Sequence, residues 1–245
     1  MSHCNEDVAW MEQCLINNYE MKNVTIYSEC NVAINGYYPP GSVIKQLPNV
    51  GRCDHTYAHW MANNLKEEDA TDNHLVIFLK ASRDNRFHGG MVYRSMQDMM
   101  RIAVEHGFAC GYEPNMGYYH HTPKLQSFAV GNYKGQNIKS PYKYMGLWQK
   151  SLQIGFPTPI APVCYGGNFV VKASQIYAKR STLKNMELSL TRGNSIEEGH
   201  FAERTWAGLL SYPLNSNQTN ALRSIPHHLS GQREAVVGSL LLQDV

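Results

Sequence analysis

A few cations and two late carboxylates carry most of the chemistry that this sequence offers. Arg52 ends the segment Asn49-Val50-Gly51-Arg52 and, with His55, opens a stretch of helical spacing. Free backbone N–H groups at a helix start favour an anion, and a guanidinium adds a two-pronged donor suited to a diphosphate. Lys80, Ser82, Arg83 and Asp84 follow directly on the apolar run Leu75-Val76-Ile77-Phe78-Leu79. Cations at such a position neutralise phosphate, and an Asp can hold a divalent metal. Tyr165-Gly166-Gly167-Asn168 places two glycines just before Phe169-Val170-Val171, where backbone turns sharply or approaches a ligand closely. Downstream, Glu197-Glu198-Gly199-His200 and Glu203-Arg204 lie near Trp206. Glu198 or Glu203 would serve as general base, with His200 as a second polar group and Arg204 as the ion-pair partner. Spacing does not choose between the two glutamates.

His55 and His59 are four residues apart, on one face of a helix, a spacing that can chelate metal. The intervening Thr56-Tyr57-Ala58 lacks the Glu of a zincin, so one histidine in the site and one in the core is the expectation. Neither G-x-S-x-G nor G-x-x-x-x-G-K occurs, which removes most of the weight from hydrolase and NTPase readings.

The elements that must position these residues alternate. Behind Asn5, apolar Val8, Met11, Leu15 and Ile16 recur at helical spacing to about Asn18. Val24 to Tyr27 reads as a strand, followed by a long Gly/Pro/Asn loop through Asn49. A helix follows from Arg52 to Leu65, then a strand at Leu75–Leu79 whose five apolar residues imply burial on both faces. A helix from about Met91 to His106 stops at Gly107, and residues 107–145 have poor periodicity, as in a binding loop or flap. Phe169-Val170-Val171 is a strand, Ile196–Leu210 a helix, and the polar tail beyond Tyr212 wraps the surface or frays. This order predicts an α/β fold with a mainly parallel sheet flanked by helices. Ligands of such sheets sit outside the carboxyl ends of the strands, at Ser28-Glu29 and Lys80 to Asp84.

With 245 residues, the chain suffices for one large domain or a domain with a small appendage. The balance of 22 basic and 20 acidic residues, net +2, gives no electrostatic reason for a nucleic-acid partner. Eleven His and fifteen Tyr suit a surface that meets sugars and nucleotides. The six cysteines form no CxxC pair, and reduced thiols in a reducing, cytoplasmic compartment are the expectation. No apolar run is long enough to span a membrane. Two sequons, Asn23-Val24-Thr25 and Asn217-Gln218-Thr219, matter only in a secreted protein and are read as chance matches.

Asn5-Glu6-Asp7 with Trp10, Asn49-Val50-Gly51-Arg52 with His55-Thr56-Tyr57, Phe78-Leu79, the Gly-Gly turn before Phe169 and Glu203-Arg204-Thr205-Trp206 stand in one order. Together they resemble a family of unknown function with N-E-D-x-x-W, N-V-G-R-E-x-H-T-Y, F-L-Q-G and E-R-x-W motifs, over about residues 5 to 210. That family looks like nucleotide-sugar glycosyltransferases of GT-A architecture. The resemblance implies a single GT-A-like domain, residues 1–210, with a nucleotide-sugar half to about 106, an acceptor half from 107, and a tail at 211–245. It implies a UDP- or GDP-sugar donor held by Asn5, Glu6, Asp7, Glu29, Gly51, Arg52, His55, Lys80, Ser82 and Arg83. A glycan or other hydroxyl acceptor would meet Tyr165, Gly166, Gly167 and Asn168, and Glu198 or Glu203 would activate it. An alternative is a catalytically silent module of the same fold that binds glycan or nucleotide. GT-A enzymes place an Asp-x-Asp metal motif after a central strand; this chain has none, which leaves manganese or magnesium to Asp84 and His200, or replaces it by Lys80 and Arg83. Only Met1 to Cys4 precede Asn5, so the first strand is expected to be very short, or the chain trimmed from a form with an N-terminal extension or anchor.

Overall fold

The computed structural model describes residues 1–8, 10, 23–36, 38–82, 87–88, 91–113, 117–120, 132–133, 136–137, 139–155, 160–213, 215–217 and 220. In chain order the elements are β1 (Ser2–His3), β2 (Thr25–Ser28), β3 (Val43–Gln46), α1 (Arg52–Asn63), β4 (Leu75–Phe78), β5 (Phe87–His88), β6 (Met91–Tyr93) and α2 (Met96–His106). There follow β7 (Phe108–Cys110), β8 (Tyr112–Glu113), β9 (Gly117–His120), β10 (Asn132–Tyr133), β11 (Gln136–Asn137), α3 (Met145–Ser151) and β12 (Ile160–Val163). The last are β13 (Phe169–Lys172), α4 (Ala173–Ala178), α5 (Arg180–Ser189), α6 (Glu197–Glu203) and α7 (Trp206–Leu210).

The fold is mixed α/β. Strands β1, β2 and β3 form a parallel sheet in the order β1-β2-β3, and β4, β13 and β7 form a second with β13 antiparallel to both neighbours. One parallel rung joins the two: Ser2 N–H donates to Leu79 O at 3.0 Å, and Ala81 N–H donates to Ser2 O at 2.9 Å. The strands therefore lie in the order β3-β2-β1-β4-β13-β7. The expected short first strand is β1, only two residues long. The mainly parallel expectation is corrected in the second half, because β13 returns against β4 rather than crossing over a helix to join it in parallel.

Buried aliphatic and aromatic residues explain the well-read elements. Val170 and Val171 of β13 are fully buried, as are Met99 and Ala103 of α2 on one face of the sheet, and Ala58 and Met61 of α1 packed with Phe169 on the other. Tyr57, Phe78, Phe108, Phe169 and Trp206 form one aromatic stack through this core. Helix α2 starts later than its periodicity suggests, at the cap Ser95, whose Oγ accepts from Asp98 N–H at 3.1 Å. It ends as expected at Gly107, in the left-handed region at φ 79°. The single helix expected over 196–210 is two, broken at Arg204-Thr205. Thr205 Oγ1 donates to Phe201 O at 2.7 Å, a back-bond that bends helices, and accepts from Gln149 Nε2 at 3.0 Å. The helix expected over residues 5–18 lies largely outside the described residues, as does most of the tail beyond 213.

Four of the six cysteines are paired, Cys4 with Cys30 and Cys110 with Cys164, while Cys53 is a buried free thiol. The expectation of reduced thiols is thereby corrected. Spacing along the chain could not reveal it, because each pair is closed by strand neighbours: β1 beside β2, and β7 beside the turn that enters β13. No helix among the described residues is long and apolar enough to cross a membrane.

Candidate functional site

The carboxyl ends of β1, β2 and β4 share one edge with the turn that enters β13 and the start of α1. Trp10 Nε1 donates to Ala81 O at 2.9 Å, tying the segment after β1 to the end of β4. Asn168 fastens the next strand over: its Oδ1 accepts from Lys80 N–H at 2.8 Å and its backbone O from Gly111 N–H at 2.7 Å. Tyr57 of α1 donates from its hydroxyl to Gly167 O at 2.8 Å. The Gly166-Gly167 turn is thus held from below, with both glycines at positive φ, 86° and 69°. A Cβ on Gly167 would stand 2.6 Å from Lys80 Cε and 3.2 Å from Cys53 Sγ, so this glycine makes room for the lysine stem.

Helix α1 begins with unusual backbone. Gly51 and Arg52 both have positive φ, 58° and 59°, and a Cβ on Gly51 would meet Leu190 O at 2.7 Å. A non-glycine residue held there is strained by the order of 1 kcal/mol, and such strain clusters at functional sites. The consequence here is directional: Arg52 points toward α6, and its Nη1 donates to His200 Nδ1 at 3.1 Å. Arginine can only donate, so His200 accepts and is neutral. Burial first, and the Arg52 charge second, lower the His200 pKa to about 4.

Glu203 is the carboxylate that faces this edge. Its Oε1 accepts from Gly166 N–H at 3.0 Å, and Arg204 Nη1 lies 3.5 Å from Oε2. Burial by itself would raise its pKa, but the charges of Lys80, Arg52 and Arg204 with the Gly166 amide outweigh burial and hold it below the ordinary range. Lys80 is held above its usual value, first by coupling to Cys53, against the opposing effect of burial, and further by Glu203. The Cys53 thiol, pushed up to about 12 by burial, is protonated at neutral pH and is no nucleophile.

Asp54 belongs to the same cluster and was not legible as a site residue. It is buried, takes the Trp206 Nε1–H at 2.8 Å on Oδ1, and its pKa rises to about 6, through burial first and the Glu203 charge second. The one available signal was an acidic residue two positions after Arg52 in the first turn of a helix.

Other expected site residues lie elsewhere. Glu198 is buried against Arg192, whose Nη2 donates at 2.8 Å, and Ser140 Oγ donates to it at 3.1 Å; it is a strut between α6 and the 139–142 segment. Glu29 accepts from Ser2 Oγ at 2.6 Å and from Thr56 Oγ1, which locks β1, β2 and α1 together. Burial raises its pKa, against those two hydrogen bonds. Asn5 and Asp7 are exposed at the edge, and Glu6 Oε2 turns back to accept from Cys4 N–H at 2.7 Å. His55 is buried and its pKa is lowered by burial, while His59 pairs with Glu187 at 2.7 Å, so the two do not converge on one metal position. Tyr165 lies under Arg204, 5.2 Å from ring centroid to guanidinium carbon. Ser82 is half-buried after β4, whereas Arg83 and Asp84 lie outside the described residues.

Among the described residues no group of three His, Cys, Asp or Glu side chains could hold a metal ion. His200 already accepts from Arg52, and Glu203 from Gly166, so this donor set does not fit a divalent ion. What the arrangement brings together at the carboxyl edge is the cations Arg52, Lys80 and Arg204 around the carboxylate of Glu203, with Asp54 buried behind them. A cavity of about 910 Å³ lies elsewhere, at the opposite ends of β2 and β4, lined by Thr25, Trp60, Leu75 and Ile77. Compared with known family models, curated proteins and solved structures, the chain matches none.

Proposed function

We propose that the chain is a glycosyltransferase of GT-A-like architecture that moves a sugar from a UDP- or GDP-sugar to a hydroxyl acceptor. The observation that carries this reading is the convergence of Arg52, Lys80, Glu203 and the Gly166-Gly167 turn at the carboxyl edge of the sheet. The strand order, with three parallel strands delivering their ends to that edge, supports the architecture. In the reaction the bond from the sugar's anomeric carbon to the diphosphate oxygen breaks, and a bond from that carbon to the acceptor oxygen forms. The acceptor proton passes to Glu203, and the nucleoside diphosphate leaves with its charge offset by Lys80 and Arg52. A donor diphosphate competes with Glu203 for these two cations. Their transfer to phosphate raises the Glu203 pKa, so the carboxylate becomes a better base only when the donor is bound. No step is routed through a metal.

The silent-module alternative is favoured by one observation, that Glu203 is already saturated by an amide and cations, which makes it a weak base in the free protein. A panel of UDP- and GDP-sugars, read by thermal shift and by release of nucleoside diphosphate, separates the two. The transferase reading expects binding that Lys80→Ala abolishes, and turnover that Glu203→Gln lowers by about 100-fold or more with binding intact. No thermal shift from any sugar nucleotide refutes both. Binding with no turnover sensitive to Glu203→Gln refutes the transferase alone.

A further inference from the structure

We infer that Asn23 is an N-glycosylation site, and that the protein acquires its fold in an oxidising, secretory compartment. Two independent features meet here, and neither depends on the proposed reaction. The first is the pairing of Cys4 with Cys30 and of Cys110 with Cys164. Disulfides form and persist in secretory and extracellular settings and are rare where thiols are kept reduced. Neither pair is a fragment of a metal site, because no third His, Cys, Asp or Glu joins it among the described residues.

The second feature is the sequon Asn23-Val24-Thr25. In a reducing compartment it is inert, but the disulfides remove that reading. Asn23 is exposed, stands just before β2, and no group among the described residues bonds its side-chain amide. Position 24 is committed to the sheet through Val24 O, which accepts from Val43 N–H at 2.9 Å, so Asn23 is the last residue before the ladder begins. A bulky polar modification is tolerated at such a place and not two residues later. The sequon also lies inside the loop closed by Cys4 and Cys30, so both modifications fall in one short stretch of chain. The second sequon, at Asn217, runs partly outside the described residues and carries no part of the inference.

The covalent step uses a lipid-diphosphate-linked oligosaccharide as co-reactant. Asn23 Nδ2 forms a bond to the anomeric carbon of the oligosaccharide, the bond from that carbon to the diphosphate oxygen breaks, and the displaced amide proton passes to a carboxylate base of the oligosaccharide-transferring enzyme. The lipid diphosphate leaves.

The test uses the full chain from the cells that make it, with thiols blocked by iodoacetamide before lysis. Tryptic maps are recorded before and after peptide-N-glycosidase treatment. The expected result is a Cys4–Cys30 and a Cys110–Cys164 cross-linked peptide, and an Asn23 peptide that appears only after the enzyme, with Asn23 converted to Asp. Alkylated thiols at these four cysteines overturn the inference, and so does an unmodified Asn23 peptide in the majority of untreated chains. In a secretory host, Asn23→Gln is expected to lose one enzyme-sensitive mobility step that Thr25→Ser keeps. Glycan addition precedes folding, so the step is read on retained as well as secreted chain. Equal mobility of wild type and Asn23→Gln before treatment refutes the site.

Discussion

Replacing Asp54 by Asn isolates the cost of keeping a carboxylate behind the cation cluster. Its pKa rises from an ordinary 3.8 to about 6 in the folded protein. An acid whose folded pKa lies above its unfolded value favours folding while protonated; that stabilisation is complete below the unfolded pKa and is lost as pH rises through the folded one. The rise from 3.8 to about 6, at about 1.36 kcal/mol per pH unit, amounts to roughly 3 kcal/mol, lost between about pH 4 and 7. Asparagine keeps an Oδ1 to accept the Trp206 Nε1–H and does not titrate. Its new N–H pair replaces a carboxylate oxygen that faces the charges of Arg52 and Lys80, and that costs about 1–3 kcal/mol at every pH. The two effects separate in urea titrations from pH 4 to 7.5. The variant is expected to be the less stable at pH 4 and to gain roughly 3 kcal/mol on wild type by pH 7.5 at an unchanged urea slope. A stability difference that does not vary with pH refutes the account of Asp54 as an acid whose pKa burial raises.

Gly167→Ala tests the lysine cradle. The added Cβ at 2.6 Å from Lys80 Cε must move that stem, and a non-glycine residue at φ 69° costs about 1–2 kcal/mol. Weaker UDP and GDP binding by calorimetry is expected, with Gly155→Ala, where nothing lies within 4 Å, as the unaffected control. The Cys110–Cys164 bridge closes a separation of 54 residues, and on the chain-entropy account its removal costs about 4 kcal/mol. A Cys110→Ser, Cys164→Ser double variant is expected to unfold at correspondingly lower urea, and wild type in reductant, which opens Cys4–Cys30 as well, at lower urea still; no response to reductant would contradict the pairing.

What could be read from the chain was what local burial dictates. Phe169 to Val171 announce themselves because both faces of that strand are covered, and Leu75 to Leu79 by their unbroken apolar run, although Leu75 to Ile77 are only half-buried beside the cavity. Strand β3 was hidden in a loop because Val43–Gln46 is an exposed edge, so its residues are not sorted by burial. Helices α4 and α5 leave little trace in the sequence, since only Ala173, Ile176, Leu183 and Met186 turn inward and their polar neighbours mask the period. The choice between Glu198 and Glu203 illustrates the limit. Five residues apart, they face directions about 140° apart on a helix, but the partners that decide which faces the carboxyl edge, Gly166 for Glu203 and Ser140 for Glu198, stand far off in the chain. Asp54 needed Trp206, 152 residues away, to become a buried acid.

Strand β1 has a mechanical meaning. Among the described residues, two hydrogen bonds through Ser2 form the backbone rung between the parallel leaf and the leaf around β13, and below that rung β2 and β4 are parted by the 910 Å³ cavity. The sheet is therefore continuous through β1, and α1 spans the junction, bonded to Glu29 after β2 through Thr56 and to the turn before β13 through Tyr57. Asn5 to Asp7 follow β1 and Lys80 follows β4, and Ser2, Thr56 and Trp10 hold these two stretches in one register at the carboxyl edge.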